Sequence, residues 1–446
     1  MDSVHHQGVQ PVGRLLLKYS IPAIVGFLAS ALYQFVDRVL VGRGVGTEAM
    51  AAVTCAYPLT ILGMGFGLLL GTGTGNQIST FLGKNLRDEA ENVLGQSLRL
   101  AIVLGAGFAL IQIVFARPLL FACGASGAVL DMSIPYLRIT AFSQICVITI
   151  ISMGNILRVQ GRPGLGLVFM GSGNILNALL AIVAIFVLHW GIVGAALATL
   201  VTTVLNLSVL LWFVQSRHSV LHIHSQYLVK NLKLAKSIIK LGAPVLMMQV
   251  LGMVTFLVAN HGAAGLDGAR GVAAVGVFNT VSILLIYGPL GIVQAMQPLV
   301  AFNRGAGRID RVRELLKRTL LATTVMGVVS ALIIACFPEA VASLFTRNDM
   351  RLVEIVAQGL PLFMISVALF GVQGTASHYF LAVHQPKKAS LLLLGRQVLA
   401  IPLFLILPKL FGFPGLYLVA VLSDVPMAIF AAYMLRKEWL VLKQDD

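Results

Sequence analysis

Residues 51–74 read AAVTCAYPLTILGMGFGLLLGTGT, and no charged side chain interrupts them. A helix of about 20 mostly apolar residues is long enough to cross the hydrocarbon core of a bilayer. Comparable stretches recur along the whole 446-residue chain. They are too long and too uniformly apolar for the alternating strands of a β-barrel. The sequence therefore predicts an all-α, polytopic membrane protein with twelve transmembrane helices.

The overall composition supports the same fold class. Hydrophobic residues make up 58% of the chain and charged residues 11%, whereas soluble domains carry about 25% charged residues. The mean hydropathy is +0.91. The net charge of +15 raises the question of a nucleic-acid partner, but basic residues also gather in the cytoplasmic loops of membrane proteins. Proteins that bind single-stranded nucleic acid combine basic residues with interleaved aromatic ones, and this chain lacks that pattern. We therefore expect membrane lipids, and no nucleic acid, as partners.

The distribution of basic residues predicts the orientation. An even number of helices places both termini on one side of the membrane. Most of the 32 Lys and Arg residues lie in the N-terminal segment, the even-to-odd connections and the C-terminal tail. Since Lys and Arg favour the cytoplasmic side, both termini are expected in the cytoplasm. The segment before the first apolar stretch lacks a signal-peptide pattern, so that stretch is expected to remain as a membrane span.

The two halves of the chain resemble each other at a shift of 222 residues. The matching residues at this shift include Lys18 with Lys240, Pro22 with Pro244, Gly46 with Gly268, Gly83 with Gly305 and Asp88 with Asp310. Six helices repeat, and because six is even, both repeats enter the membrane from the same side. We therefore expect two parallel six-helix bundles, at 1–215 and 237–446, joined by a cytoplasmic linker at 216–236.

Two acidic residues fall within the predicted spans, where a carboxylate is costly. Asp37 lies toward the outer end of the first span. It either exchanges protons, because burial favours the uncharged form of a carboxyl group, or pairs at the interface with Arg38 or Arg43. Asp424 is a second intramembrane acid without a basic neighbour in its own helix. We expect it to hydrogen-bond between helices.

Amide side chains also lie within the spans, namely Asn155, Asn174, Asn177, Asn260 and Gln294. Such side chains commonly join neighbouring helices, and those of the first bundle could instead line a polar pocket with Asp37. The chain offers no nucleophile–base arrangement typical of an enzyme and no CxxC pair. The HxH of His222 and His224 alone is weak support for a metal site. We expect neither enzymatic activity nor a bound metal or cofactor.

Taken in order, these motifs resemble the multidrug and toxic compound extrusion (MATE) family over nearly the whole chain. The residues that carry the resemblance are Pro22, Leu32-Tyr33, Asp37, Gly42, Gly46, Ala51-Ala52, Gly71-Thr72-Gly73, Ser79, Leu82-Gly83, Leu157-Arg158, Gln160-Gly161, Asn174-Ile175-Leu176-Asn177, Trp190-Gly191-Ile192-Val193-Gly194, Ala195-Ala196, Ala198-Thr199, Gln297-Pro298-Leu299, Asn303, Gly305-Ala306-Gly307 and Arg396-Gln397.

The resemblance implies a multi-pass antiporter of the bacterial inner membrane, acting as a monomer. It would export small organic compounds, cationic and drug-like, in exchange for protons or sodium by alternating access. Bacterial members with a coupling site in the first bundle are the most similar. The resemblance makes Asp37 the coupling carboxylate, with Tyr33, Gln34, Asn177 and Thr199 nearby.

One position departs from the pattern of those members. They commonly carry a second Asp on the fifth helix, one turn after the residue that matches Asn177, and here that residue is Ala181. Sodium favours several anionic ligands, whereas one carboxylate suffices for proton exchange, so we expect H⁺ as the coupling ion and keep Na⁺ as the alternative. The alternative function is a flippase for a lipid-linked saccharide, whose cleft should carry several cationic residues.

Overall fold

A computed structural model describes residues 2–229, 231–345 and 349–444 of the chain. In this part, twelve helices are long and apolar enough to cross a membrane, and no strand occurs. The all-α, twelve-helix prediction is thus confirmed. The helices are α1 Val12–Gly44, α2 Thr47–Gly83, α3 Arg87–Val114, α4 Gly127–Val159, α5 Pro163–Ile182, α6 Gly191–Gln215, α7 Leu232–Gly268, α8 Arg270–Gly305, α9 Ile309–Cys336, α10 Met350–Ala382, α11 Pro386–Phe411 and α12 Phe413–Gln444.

The internal repeat predicted from the sequence appears in the helix boundaries. Helix α3 begins at Arg87 and α9 at Ile309, a separation equal to the predicted shift. Short helices follow these two, at Ala116–Ala122 and Pro338–Phe345, and they begin the same distance apart. The repeat is therefore structural as well as sequential, and each half contributes six spans.

Glycine terminates the first helix of each repeat at matching positions. Gly46 has a φ of +118° and Gly268 a φ of +51°, and L side chains rarely adopt such values. A Cβ added at either residue would meet no other atom within 4 Å. The backbone angle, rather than a shortage of space, therefore explains glycine at these two turns.

The chain forms two compact units whose boundaries cross two helices. Unit 1 comprises residues 1–9 and 25–246, and unit 2 comprises residues 10–24 and 247–446. The first turns of α1 therefore belong to unit 2, and the first turns of α7 belong to unit 1. The three segments expected from the sequence, with limits at residues 215 and 236, stay a prediction.

Each unit is built around one central helix. In unit 1, α4 packs against α2, α3 and α6, and in unit 2 the equivalent α10 packs against α9, α11 and α12. Glycines on α2 permit the close approach of α4. A Cβ at Gly67 would lie 2.8 Å from Cβ of Ile151, and one at Gly71 would lie 2.8 Å from the Ile151 carbonyl oxygen.

The polar segment between α6 and α7 docks on unit 1 through hydrogen bonds. Gln96 of α3 is 1% exposed, and its Nε2 donates to the carbonyl oxygen of Tyr227 at 2.7 Å. Buried Glu91 accepts from the backbone N–H of His222 at 3.2 Å and lies 3.1 Å from Nε2 of His224. Both histidines of the HxH motif thus contact one carboxylate of α3, which fixes the linker to this unit.

Candidate functional site

The predicted coupling carboxylate lies among tyrosines in unit 1. Tyr33 and Asp37 are one turn apart on α1, so their side chains share a helix face. Both Asp37 and Tyr33 are half-buried. Asp37 interacts electrostatically with Tyr33 and also with Tyr136 of α4. Two hydroxyl groups from two helices therefore lie within electrostatic range of this carboxylate.

Two other predicted site residues contact each other in the same unit. Nδ2 of Asn177 on α5 donates to the Thr199 hydroxyl oxygen on α6 at 3.3 Å. The Thr199 hydroxyl in turn donates to the carbonyl oxygen of Ala195 at 3.1 Å. Asn177 is 5% exposed, and among the described residues its Oδ1 has no hydrogen-bond partner. This amide therefore presents an acceptor that a bound group could use.

An apolar cluster connects these two polar groups. It contains Val41, one turn after Asp37, together with Ala181, one turn after Asn177. Ala198, next to Thr199, belongs to the same cluster, and Tyr136 packs against it. Ala181 itself is 1% exposed. The position at which related bacterial members were expected to carry a second carboxylate is thus filled by close apolar packing.

The remaining predicted residues of unit 1 are placed differently. The side chain of Gln34 lies outside the described part of the chain, and Asn174 is half-buried on α5. Asn155 accepts a hydrogen bond from Arg158 at 2.5 Å. It follows Tyr136 by 19 residues on α4, which at about 1.5 Å per residue separates their backbones by about 28 Å. The structure therefore does not bring Asn155 to the Asp37 group.

The second intramembrane acid lies in a charged cluster of unit 2. Asp424 on α12 is 1% exposed, and Oδ1 of its carboxylate lies 2.5 Å from Nε of Arg396 on α11. Its Oδ2 accepts a hydrogen bond from the hydroxyl of Ser366 on α10. Nε2 of Gln373 on α10 donates to the Asp424 carbonyl oxygen at 2.7 Å. A neighbouring helix thus supplies the basic partner that α12 lacks near Asp424.

The two other predicted amides of unit 2 lie on α7 and α8. Asn260 is half-buried, and its Oδ1 has no hydrogen-bond partner among the described residues. Gln294 is also half-buried. Near Asn260 in sequence, the hydroxyl of Thr255 on α7 donates to Oε1 of Gln397 on α11 at 2.8 Å. Polar side chains therefore join α7 to α11, beside Arg396.

Sequence reasoning missed Tyr136 and Ser366. Tyrosine near the end of a span is common at membrane interfaces, and serine in a span commonly caps its own helix or packs against another. Neither residue type indicates a site unless its neighbour on the adjacent helix is known. Each is identified by its interaction with a carboxylate on another helix, and only the fold shows that interaction.

Comparison with known proteins gives the same architecture. The MatE family model matches residues 22–183 and again residues 244–406, once in each repeat. The multidrug export protein MepA of Staphylococcus aureus (strain MRSA252) is 25% identical over 442 residues, covering 98% of this chain and 96% of the relative. MepA of Staphylococcus haemolyticus (strain JCSC1435) is 25% identical over 437 residues, covering 96% and 95%.

Solved structures share the fold over its full length. A MOP superfamily transporter from Pyrococcus furiosus superimposes with a TM-score of 0.92 at 22% identity, covering 99% of both chains. An outward-facing multidrug resistance MATE family transporter also gives 0.92 at 22% identity, covering 100% of this chain and 99% of the other. All twelve helices therefore have counterparts in known structures.

Proposed function

The chain belongs to the MATE family of membrane transporters, and from this premise we propose that it exports small, drug-like organic cations in exchange for protons. The similar staphylococcal proteins are named multidrug export proteins, which supports the substrate class. The duplicated six-helix architecture supports alternating access, because parallel repeats commonly move against each other around a site in the membrane.

The arrangement around Asp37 is the observation that carries proton coupling. Its carboxylate interacts with two tyrosines, and a single carboxyl group can bind and release one proton. Hard cations such as sodium are held by several oxygen ligands, commonly including carboxylates. Ala181 adds no ligand, because its methyl group is packed in an apolar cluster. We therefore prefer H⁺ to Na⁺ as the coupling ion.

The alternative function, a flippase for a lipid-linked saccharide, requires free cations for a pyrophosphate group. Arg396 is a basic residue within a span, and it forms an ion pair with Asp424. The pair is neutral overall, so it offers little attraction for a multiply charged anion. This contact favours the exporter over the flippase.

The decisive experiment uses purified full-length protein in proteoliposomes with a fluorescent cationic dye. We expect dye transport when a pH gradient is imposed in sodium-free, choline-containing buffer. Transport that requires a sodium gradient instead would overturn proton coupling and leave export intact. Protein-free vesicles provide the background.

A second substrate separates the two functions. The same vesicles are tested for translocation of a fluorescent lipid-linked saccharide, with its appearance in the outer leaflet as the readout. We expect none above background. Lipid translocation without dye transport under either gradient would overturn the exporter proposal and support the flippase.

We propose that both termini lie in the cytoplasm of a bacterial cell and that the protein acts as a monomer in the inner membrane. The excess of Lys and Arg in the connections on the side of the termini supports this orientation. Protease protection of a C-terminal tag in inverted vesicles tests it. A protected tag would show that the C-terminus lies on the opposite side of the membrane.

A further inference from the structure

The first turns of α3 and α9 are equivalent in the two repeats, but they present different side chains. In unit 1, Glu91 of α3 contacts both histidines of the linker, and Gln96 donates to the carbonyl oxygen of Tyr227 at 2.7 Å. Between them, a Cβ added at Gly95 would lie 2.7 Å from Cβ of Tyr227. This face of α3 is therefore a docking surface that the chain itself covers.

In unit 2 the same helix face is basic. At the shift of 222 residues, the three positions that hold the linker in unit 1 become Arg313, Lys317 and Arg318. Arg318 is already engaged, by Glu314 at 2.7 Å and by the start of α1 at Gly13. Lys317 is exposed and forms no ion pair within the described part of the chain. A partner for this face of α9 should therefore carry negative charge.

The end of α12 adds a second basic residue beside this face. The guanidinium of Arg313 lies over the ring of Trp439 on α12, 5.5 Å from its centroid, so the two helices are neighbours here. Lys317 lies one turn after Arg313 on α9, and Arg436 lies one turn before Trp439 on α12. Each therefore shares a helix face with one member of the contact. Since α9 is an odd span and α12 an even one, the helices run in opposite directions, and both residues lie on the membrane side of the contact.

Toward the membrane, both helices continue with exposed apolar side chains. Leu321 and Val325 follow Lys317 at helical spacing, and Tyr433 precedes Arg436 by one turn, and all three are exposed. Exposed apolar faces of this kind are typical of surfaces that contact a membrane, and tyrosine is common at its interface. Arg436 is also exposed and forms no ion pair among the described residues. Two cations therefore lie directly beside an apolar surface, which matches a lipid with an anionic headgroup and acyl chains.

From this arrangement we propose that Lys317 and Arg436 bind the phosphate of an anionic phospholipid whose acyl chains lie along the exposed apolar faces of α9 and α12. Lys and Arg donate charge-assisted hydrogen bonds to phosphate oxygens, and basic residues clustered beside a span attract anionic lipids. A zwitterionic headgroup carries its own cation and is attracted less. The inference goes beyond the proposed export function and is independent of the substrate and of the coupling ion.

The neighbouring carboxylates do not cancel the two cations. Glu314 is engaged by Arg318 at 2.7 Å. Glu438 is 6% exposed and pairs with Lys388 at 3.1 Å. Lys437 is exposed at the same end of α12 and adds a further positive charge. The described side chains around the site therefore leave an excess of positive charge, which attracts a phosphate group.

The test measures lipid preference at the site itself through the fluorescence of Trp439. Trp190→Phe and Trp212→Phe leave Trp439 as the only one of the chain's 3 tryptophans, and this full-length protein is reconstituted in phosphatidylcholine vesicles. Brominated phosphatidylglycerol or brominated phosphatidylcholine is included as a contact quencher. The readout is the ratio of their relative association constants at fixed salt. We expect a ratio of about five or more, the gain typical of one basic residue beside anionic lipid.

Two charge-removing variants are compared in this background. Lys317→Gln combined with Arg436→Gln should lower the ratio by about fivefold or more, because the phosphate loses both cations. Lys236→Gln combined with Lys240→Gln is the matched control. It removes the same charge from two exposed lysines one turn apart on α7, in the part of that helix that belongs to unit 1. Its ratio should equal that of the starting protein.

Each outcome supports or overturns the lipid site. A ratio of about one in the starting protein, or an unchanged ratio in the variant of α9 and α12, overturns it. An equal fall in the α7 control would assign the preference to the general positive charge of the protein and remove the local site. Inorganic phosphate added at constant ionic strength should leave the ratio unchanged, and a loss of preference would make soluble phosphate the ligand instead. If the variant of α9 and α12 does not insert, Lys317→Gln alone decides the question.

Discussion

Each unit contains a carboxylate inside the membrane, and the two carboxylates have different surroundings. Asp37 of unit 1 interacts with the hydroxyl-bearing side chains of Tyr33 and Tyr136. Asp424 of unit 2 pairs with the guanidinium of Arg396. A guanidinium is a charged partner that only donates hydrogen bonds, whereas a tyrosine hydroxyl is uncharged and can donate or accept. The repeat therefore supplies the scaffold twice, but the two carboxylates have partners of different chemistry.

The units also build one helix crossing in opposite ways. In unit 1, Gly242 of α7 lies directly against the backbone carbonyl oxygen of Leu69 on α2. In unit 2, the residue that matches Leu69 is Gly291 of α8, and it lies against Ile24 of α1. Both repeats contain this crossing, but the glycine lies on α7 in unit 1 and on α8 in unit 2. Close contact requires one missing side chain, and either helix can provide it.

The largest effect is expected at Asp37. Its substitution tests whether the two carboxylates differ in function. Asp37→Asn should reduce pH-driven transport of the cationic dye to the level of protein-free vesicles, since an amide cannot carry the proton. The measurement is initial dye flux in proteoliposomes at matched protein density. Asp131→Asn, an exposed acid on α4, is the control. Undiminished transport by Asp37→Asn would remove the functional difference between the units.

The next largest effect concerns the stability of unit 2. Arg396→Gln leaves Asp424 buried beside an uncharged partner and should destabilise the fold by about 3 kcal/mol, within the range for breaking a buried ion pair. Adding Asp424→Asn should restore most of the loss. The readout is the melting temperature in detergent, followed by size-exclusion chromatography. Equal stability of single and double variants would show that the pair does not hold α11 to α12.

The glycine crossings are expected to differ in tolerance. Gly242→Ala should destabilise the protein by about 2 kcal/mol, because the obstructing atom is a backbone oxygen. At Gly291 a Cβ would lie 2.5 Å from Cγ1 of Ile24 and 2.8 Å from its backbone nitrogen. Part of that obstruction is a flexible side chain, so Gly291→Ala should cost about 1 kcal/mol.

Melting temperatures of the two alanine variants test this order. Gly276→Ala serves as the control, since a Cβ there would meet nothing within 4 Å. A greater loss for Gly291→Ala than for Gly242→Ala would show that the crossing in unit 2 is the more rigid one.

The smallest effect is expected outside the membrane, where unit 2 uses an exposed ion pair. Nε of Arg270 donates to Asp349 at 2.8 Å, and Asp349 also accepts from the backbone N–H of Leu352 at 3.2 Å. The hydrogen bond from Arg270 is the main cause that lowers the pKa of Asp349 below its usual value. A lowered pKa in the folded state adds stability above the unfolded pKa, and this stability disappears as the pH falls through the folded pKa.

Arg270→Gln should therefore lower the melting temperature slightly at neutral pH, and the difference from wild type should shrink below about pH 4. Raising the salt concentration should also reduce the difference, because the pair is exposed. Melting curves across pH and salt measure both effects. A difference independent of pH would assign the role of Arg270 to packing of its aliphatic stem.

The sequence predicted the fold class, the number of spans and the repeat because each depends on local composition. Twenty apolar residues form a span whatever lies beside them, and a duplicated pattern survives as a duplicated structure. It also identified Asp37 and Asp424 as unusual, because a carboxylate within a span is rare. The partner of Asp424 was not predictable, since Arg396 lies 28 positions earlier, on a different helix.

By itself, then, the sequence determined that this chain is a duplicated twelve-helix membrane protein with two intramembrane acids. Hydrophobic length and residue chemistry are properties of each segment alone. The tertiary structure decided which side chains meet each acid, and that the first turns of α1 and of α7 belong to a different compact unit from the rest of the helix. Those features depend on how helices cross, which is set by packing between residues far apart in the chain. The environment of a carboxylate, and with it the protonation behaviour proposed here, arises only from those crossings.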